Sequence, residues 1–215
     1  MPAGRGFRSG AIVCDGVGGA AAGEVASRTA IERVAASLAS GGGPIPERLR
    51  AAIADANAAI RRYAREKLEG AASGSTIVAA LVGDGQVTIA HVGDSRAYLL
   101  RGGALSQLTA DHSFVAEQVR AGVLKSDEAE THPLRGRLTK ALGVADEVEP
   151  DVREEEMRTG DVLLLCSDGL HAMASDSEIA AAIGPDAARS AKALVDLANK
   201  RGGKDNVTVA LYREV

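Results

Sequence analysis

Aromatic residues and cysteines are scarce in this chain of 215 residues, which has no tryptophan, three tyrosines, two phenylalanines and two cysteines. So few aromatic rings exclude a surface that stacks nucleic-acid bases. Cys14 and Cys166 lie in apolar stretches and are too far apart in sequence for a Cys-x-x-Cys zinc or redox motif. We therefore expect two buried, reduced thiols, as is usual in the cytoplasm.

Long apolar runs and excess positive charge are also missing. No run approaches the ~20 apolar residues of a membrane-spanning helix, and the first ten residues lack the hydrophobic segment of a secretory signal. The net charge of −4 argues against nucleic-acid binding. With 46% hydrophobic and 25% charged residues, the composition is that of an ordinary globular protein. We expect one domain over residues 1–215, in a cytoplasmic monomer with no membrane segment and no nucleic-acid partner.

Glycine is abundant: the chain has 25, against a usual share of about 7%, and many of these glycines flank aspartates. Asp15 and Asp168 each follow four or five apolar residues and precede a glycine, a pattern that simple hairpin turns rarely show. Asp94 and Asp205 also have glycine neighbours close by. By contrast, Asp84 lies between two glycines and is typical of a hairpin turn alone.

Carboxylates at strand ends beside glycines are held in place while water or a ligand can approach closely. Several acids that converge without basic partners repel one another, and a divalent cation relieves this repulsion. Because the set offers oxygen ligands and no cluster of cysteine and histidine, we predict a hard ion, Mg²⁺ or Mn²⁺ rather than Zn²⁺.

Hydrophobic periodicity predicts an α+β fold, with long helices packed on a largely antiparallel sheet system. The predicted helices cover residues 23–38, a segment from residue 46, a short stretch near 126, and residues 112–122, 138–142, 176–183 and 186–200. The predicted strands cover residues 11–14, 76–82, 87–92, 97–100, 104–108, 162–166 and 206–212, and the rest of 131–151 is expected to be irregular.

The glycine loop after Asp15 also fits a dinucleotide-binding pattern, Gly16-x-Gly18-x-x-Ala21, between a strand and a helix. Two features argue against this interpretation. Asp15 would place a carboxylate beside the pyrophosphate, and the acid expected about 20 residues further on is missing from residues 40–44.

In series, the motifs resemble those of the metal-dependent protein phosphatases of type 2C, and most closely the compact bacterial members. The matching blocks occur in the family's order between about residue 11 and residue 212. They are VCDGVGG (13–19), GEVAS (23–27), GST (74–76), AHVGDSRAYL (90–99), LTADHS (108–113), HPLR (132–135), ALG (141–143), GDVLLLCSDGL (160–170) and GGKDNVT (202–208).

The resemblance implies a four-layer α-β-β-α sandwich with two metal ions at one end and a third, weaker ion beside them. By position, Asp15 resembles the carboxylate that bridges the two ions, and Asp94 with Asp168 resembles the pair that binds the third. The implied metal ligands are Asp15, the Gly16 carbonyl, Asp94, Asp168 and Asp205, of which Asp15, Asp168 and Asp205 serve catalysis, with Asn206 supporting them.

The implied activity is hydrolysis of phosphoserine and phosphothreonine in proteins by a water that two Mn²⁺ or Mg²⁺ ions activate. Phosphorylated proteins, among them serine/threonine kinases and their substrates, are the implied partners, in bacterial signal transduction. His132 and Arg135 lie in a segment that resembles the family's flap and are candidates for substrate contact. We interpret His91 and His112 as structural histidines.

One departure concerns the segment before Asp15. The family has a strand there with an arginine that grips the substrate phosphate, followed by an acidic pair that anchors a metal. None of the 14 residues before Asp15 is acidic, and Arg5 and Arg8 are too close to Asp15 to match. We therefore expect the sheet to lack its first strand. Two hypotheses follow: an active phosphatase, or a binding or regulatory module with the phosphatase fold and little or no turnover.

Overall fold

The computed structural model describes residues 7–40, 42–68 and 73–215. Apolar strands build two antiparallel sheets in it. The strands within these ranges are β1 (Ser9–Val13), β2 (Gly16–Val17), β3 (Gly74–Ser75), β4 (Ile77–Gly83), β5 (Gln86–Val92), β6 (Arg96–Arg101), β7 (Ala104–Gln107), β8 (Asp151–Glu156), β9 (Val162–Cys166) and β10 (Val209–Arg213). The helices are α1 (Ala20–Ser40), α2 (Ile45–Lys67), α3 (Phe114–Arg120), α4 (Ser126–Thr131), α5 (Asp168–His171), α6 (Asp176–Ala182) and α7 (Ala187–Lys200).

The strand order is β1-β4-β5-β8 in the first sheet and β10-β9-β6-β7 in the second, while β2 and β3 form a short separate pair. Every pairing of neighbouring strands is antiparallel. Since β5 belongs to the first sheet and β6 to the second, the turn between them crosses from one sheet to the other at one end of the sandwich.

The first sheet separates two apolar layers because successive side chains of a strand point to opposite faces. In β4, Ala79 and Leu81 pack against helices α1 and α2, whereas Val78 and Ala80 pack between the two sheets. The helix α2 has a proline in its first turn, a favoured position for this residue. It contributes the fully buried Ile53 to the outer layer.

The second sheet repeats the arrangement with its own helices. In β9, Leu163 and Leu165 face the first sheet, whereas Leu164 and Cys166 face the layer that contains α5, α6 and α7. Three apolar layers therefore lie between four layers of secondary structure, and the predicted α-β-β-α sandwich is confirmed.

Two parts of the secondary structure differ from the expectation. The predicted helix at 138–142 is wrong, because Leu138 bridges to Ser113, and Leu142 exchanges backbone hydrogen bonds with Ser75 in an extended conformation. The strand β8 was not predicted, since its sequence DVREEE has almost no hydrophobic signal. It lies at the edge of the first sheet, where charged side chains are tolerated in water.

Among the described residues, β1 pairs with β4 alone and is the other edge strand of the first sheet. Arg8, just before β1, donates to the Glu214 carboxylate at 2.7 Å, so its guanidinium is engaged at the far end of the chain. Arg5 lies outside the described residues. None of the helices described for residues 7–40, 42–68 and 73–215 combines the length and apolarity needed to cross a membrane.

The outer layer on α2 gives the first testable prediction. Ile53→Ala should lower the free energy of unfolding by about 2–5 kcal/mol, because it leaves a cavity in a fully buried layer. Ile31→Ala on α1 is the matched control, since Ile31 is 40% exposed, and should cost less than about 1 kcal/mol. Urea denaturation measures both, and equal losses would contradict the assignment of this layer.

Candidate metal centre

The four aspartates singled out in the sequence lie at the ends of strands from both sheets. Asp15 joins β1 to β2, Asp94 lies in the turn from β5 to β6, Asp168 begins α5 after β9, and Asp205 precedes β10. Their charges act on one another: Asp168 raises the pKa of Asp15 and of Asp94, and Asp205 raises the pKa of Asp15 and of Asp168. The structure thus brings all four together, as their strand-end positions predict.

Asp15 is fixed through its backbone by the Ser75–Thr76 segment. The Asp15 N–H donates to Thr76 Oγ1 at 3.0 Å, and the Asp15 carbonyl accepts from the Thr76 N–H at 2.8 Å and from Ser75 Oγ at 3.0 Å. The Asp15 carboxylate takes no part in these bonds, so the backbone can be held firmly while the side chain stays available.

Asp94 is fixed from two sides. Its carbonyl accepts from His171 Nε2 at 3.0 Å, which links it to the one-turn helix that begins with Asp168. The hydroxyls of Ser95 and Thr76 lie 2.7 Å apart, which links the same turn to the residue that holds Asp15. A chain of hydrogen bonds therefore joins the Asp15 and Asp94 positions across the two sheets.

Asp168 and Asp205 are brought together by close backbone packing. A Cβ at Gly169 would lie only 2.3 Å from the Asn206 carbonyl oxygen, so only glycine fits there. The same carbonyl accepts from Ser167 Oγ at 3.2 Å, and the Asn206 N–H donates to the Asp205 carboxylate at 2.7 Å. Asn206 thus contacts this network through its backbone.

Gly16 packs against the start of α1 in the same way. A Cβ at Gly16 would lie 2.2 Å from the Gly23 carbonyl oxygen, and a Cβ at Gly23 would lie 2.9 Å from the Gly16 carbonyl carbon. The glycine that opens the GEVAS block thus allows α1 to approach the loop after Asp15. The predicted role of the Gly16 carbonyl as a metal ligand stays a prediction.

Burial and mutual repulsion raise the pKa values of Asp15, Asp94 and Asp168, which makes these groups harder to ionise. Burial first, and then a hydrogen bond with Asp168 and the charges of its acidic neighbours, raise the pKa of Asp15 to about 7. Burial and the charge of Asp168 raise the pKa of Asp94 to about 7. The pKa of Asp168 is also raised, chiefly by burial. Ionising these groups together therefore costs free energy that a bound cation would offset.

Among the described residues no arginine forms an ion pair with the cluster, although the charge of Arg96, two residues from Asp94, partly lowers the pKa of Asp94. Its guanidinium donates to both carboxylate oxygens of Asp111 at 2.7 and 2.9 Å, and to the Tyr98 hydroxyl at 2.8 Å. Asp168 Oδ1 is buried and has no hydrogen-bond donor within the described part of the chain. An all-oxygen set with an unpartnered buried carboxylate oxygen fits a hard divalent ion such as Mn²⁺ or Mg²⁺.

The other predicted site residues are placed differently. His132 accepts from the Leu134 N–H at 3.1 Å and its ring packs 5.8 Å from that of Phe114, while Arg135 is exposed in the following turn. His132 therefore contacts its own turn and the start of α3, and contact of His132 or Arg135 with substrate stays a prediction. The sequence reasoning missed His171, whose only signal was its position three residues after Asp168 in a helix too short to show periodicity.

Removing one charge from the cluster should stabilise the protein without metal. The pKa of Asp15 rises from 3.8 to about 7 on folding, so its contribution to stability is present below pH 4 and is lost as the pH rises to about 7. In EDTA at pH 8, Asp15→Asn should therefore increase the free energy of unfolding by about 1–2 kcal/mol after discounting for partial exposure, a few degrees in melting temperature.

The control for this variant is Asp84→Asn, in an exposed turn with φ of 51°, a conformation that asparagine also tolerates. It should melt like the wild type. A melting temperature for Asp15→Asn below that of the wild type in EDTA at pH 8 would contradict the proposed repulsion.

Known proteins of similar sequence and fold include several phosphatases. The sequence model of the family described as protein phosphatase 2C matches residues 4–211. The serine/threonine phosphatase stp of Listeria monocytogenes is 41% identical over 210 residues, which cover 93% of this chain and 82% of that protein. The crystal structure of the Mycobacterium tuberculosis serine/threonine phosphatase PstP/Ppp has a TM-score of 0.88 at 38% identity, covering 99% of this chain and 97% of that one.

A structure of the catalytic domain of PstP in complex with two manganese ions has a TM-score of 0.84 at 37% identity, covering 97% of this chain and 94% of that one. The resemblance inferred from the motifs is confirmed by these matches. By its motifs, its four-layer fold and its relatives, the chain belongs to the protein phosphatase 2C family.

Proposed function

We propose that this protein is a metal-dependent phosphatase that hydrolyses phosphoserine and phosphothreonine in proteins. The observation that carries the proposal is the convergence of Asp15, Asp94, Asp168 and Asp205 at one end of the sandwich. Within the described part of the chain, no basic side chain forms an ion pair with them, and one buried oxygen of Asp168 has no donor. The relatives named as serine/threonine phosphatases and the manganese complex of PstP support the same activity and the same ion.

The residues that would hold the ions are Asp15, Asp94, Asp168 and Asp205, through their carboxylates, and Gly16, through its carbonyl. Asp94 with Asp168 would hold a third, more weakly bound ion. When bound, such ions supply an acidified water as nucleophile and positive charge against the phosphoryl oxygens. The proposed catalytic residues Asp15, Asp168 and Asp205 act by holding these ions in place.

The residues of the chain contribute rigidity and charge. Ser75 and Thr76 hold the Asp15 backbone, and Gly169 allows the Asp205–Asn206 loop to reach α5. Metal ions bind carboxylates in their ionised form. Because the pKa values of Asp15 and Asp94 are about 7, protonation competes with ion binding below about pH 7. Burial raises the pKa of Cys14 and of Cys166 to about 12, so neither thiol is suited to act as a nucleophile.

Several finer assignments belong to the same proposal. A single domain over residues 1–215 would carry the activity, in a cytoplasmic monomer, and the unpaired thiols Cys14 and Cys166 are compatible with a reducing compartment. The substrates would be phosphorylated proteins, including serine/threonine kinases and their targets. His132 and Arg135 would contact the substrate from the segment after α4.

A non-catalytic module of the same fold is the second candidate. It remains a candidate because none of the residues 1–14 is acidic, and Arg8 is paired with Glu214. The presence of all four aspartates favours catalysis instead. Their mutual repulsion destabilises the ionised site, and a module that only binds has no need of such a cluster.

Turnover with Mn²⁺ separates the two candidates. The wild type should hydrolyse p-nitrophenyl phosphate and a phosphothreonine peptide with Mn²⁺, and EDTA should abolish the reaction. Asp15→Asn, Asp168→Asn and Asp205→Asn should each lower kcat/KM by about 100-fold or more, as is usual when charge stabilisation of the transition state is lost.

Asp84→Asn is again the matched control, because Asp84 is an aspartate beside glycine in an exposed hairpin turn, and it should retain full activity. Folding of each variant is checked by circular dichroism. The absence of Mn²⁺-dependent turnover from folded wild type would leave the binding module as the function of this chain.

A further inference from the structure

A second cluster of metal-binding residue types lies beside the aspartates, between β5, β8 and the segment before α3. One ligand atom from each of His91, His112 and Asp151 lies within 4.8 Å of the others. The two histidines are buried, and Asp151 is half exposed at the start of β8, opposite His91 in the strand register. The spacing alone would allow a metal ion.

The orientation of the rings excludes this interpretation. The imidazoles of His91 and His112 are stacked, with centroids 4.7 Å apart and planes inclined by only 6°. Nitrogen lone pairs lie in the plane of each ring, so those of parallel stacked rings do not converge on one ion. Moreover, His91 Nε2 lies 3.0 Å from the Ala110 carbonyl, and His112 Nδ1 accepts from the Gly93 N–H at 3.1 Å.

The contact between His112 and Gly93 has two parts. Besides the ring contact, the His112 N–H donates to the Gly93 carbonyl at 2.9 Å. One residue therefore pairs with both backbone groups of Gly93, which is buried and directly precedes Asp94. Because a backbone N–H can only donate, His112 Nδ1 must be unprotonated, and its Nε2–H faces the Asp151 carboxylate at 3.4 Å.

Gly93 needs such a partner. Its φ of 104° is open to glycine and strained for other residues, and a Cβ there would lie 2.7 Å from the Thr76 side chain. Glycine can adopt this conformation, but it is also the most flexible residue type. Contacts with neighbouring residues must therefore fix the turn. Burial and the charges of His91 and Lys140 lower the pKa of His112, which keeps the ring neutral and able to accept.

We infer that His112 is a positioning residue, which holds the Gly93 peptide with its ring and backbone and thereby fixes Asp94 at the weaker metal position. The inference rests on the proposed function, in which Asp94 is a ligand there. Asp151, itself 3.3 Å from Lys140 Nζ, orients the ring from its other nitrogen. The order of contacts is then Lys140, Asp151, His112, Gly93 and Asp94, from the surface to the centre.

Calorimetric titration of metal-free protein with Mn²⁺ tests this, at one fixed pH above neutrality. Asp94→Ala should remove the weakest binding event. His112→Phe keeps the stacked ring but has no acceptor for the Gly93 N–H, and should weaken that same event by about 10-fold to 100-fold while leaving the tighter events unchanged. His112→Asn, whose Oδ1 can take the place of Nδ1, should restore wild-type affinity.

Two further variants keep the test independent of how well the phenylalanine variant folds. His112→Gln is polar like asparagine, but its amide lies one methylene further out, so it should weaken the same event. In the Asp94→Ala background, neither His112→Phe nor His112→Gln should change Mn²⁺ affinity further. Ile53→Val, in the remote layer on α2, controls for a general loss of stability and should leave all events unchanged.

Nitrogen NMR of the wild type, metal-free or with Mg²⁺, tests the inference without any substitution. The inference requires His112 with an unprotonated Nδ1 and a protonated Nε2, together with slow exchange of the Gly93 amide hydrogen. The opposite tautomer would overturn it, as would equal weakening of all binding events by His112→Gln.

The results also distinguish this inference from the function on which it rests. If Asp94→Ala removes the weakest event and the His112 variants do not affect it, the inference alone is wrong. If Asp94→Ala leaves every event unchanged, the assignment of Asp94 fails and the inference with it, while Mn²⁺-dependent turnover through Asp15 and Asp168 is judged by the activity assay.

Discussion

Repulsion among buried carboxylates is the constraint around which this molecule is built. Asp15, Asp94 and Asp168 have raised pKa values because burial and their mutual charge disfavour ionisation, and Arg96, two residues from Asp94, is engaged by Asp111. When these groups are ionised, the protein must hold them against that repulsion. Hydrogen bonds to the backbone of Asp15 and of Asp94 hold the segments around them, and Asp168 Oδ1 has no donor among the described residues.

Those contacts come from residue types that bring backbones close. Hydroxyls of Ser75, Thr76 and Ser167 bond to the main chain around the aspartates, and glycines at 16 and 169 remove the atoms that would keep neighbouring segments apart. The two sheets supply the frame, because each delivers strand ends to the same end of the sandwich. Stability of the layers and geometry of the site therefore depend on different sets of residues.

Much of this was predictable from the sequence, and the failures have physical causes. Strands such as β4 and β9 are buried and apolar throughout, and Asp168 was predicted correctly to lie at the end of β9. The strand β8 was not predicted, because at the sheet edge its hydrogen bonds to β5 are sufficient and its side chains need no apolar pattern. The helix predicted at 138–142 was wrong since pairing of Leu142 with Ser75 outweighs a local preference.

Contacts made by individual polar side chains were the least predictable part of the site. His91 and His112 were interpreted as structural, and the structure adds that they stack and that one of them reaches the turn before Asp94. His171 gave no periodic signal because its helix has one turn. In each case the partner is a backbone group far along the chain, which no local pattern encodes. The metal-binding roles of the aspartates stay predictions.

The close fit between Gly169 and the Asn206 carbonyl also bears on when the site can form during synthesis. Asp15, Asp94 and Asp168 are all synthesised before Asp205, and the loop that packs on α5 follows α7 in the chain. A nascent chain that ends within α7 therefore carries three of the four aspartates but not the segment that packs against Gly169. The four aspartates can come together only after synthesis has passed Asn206.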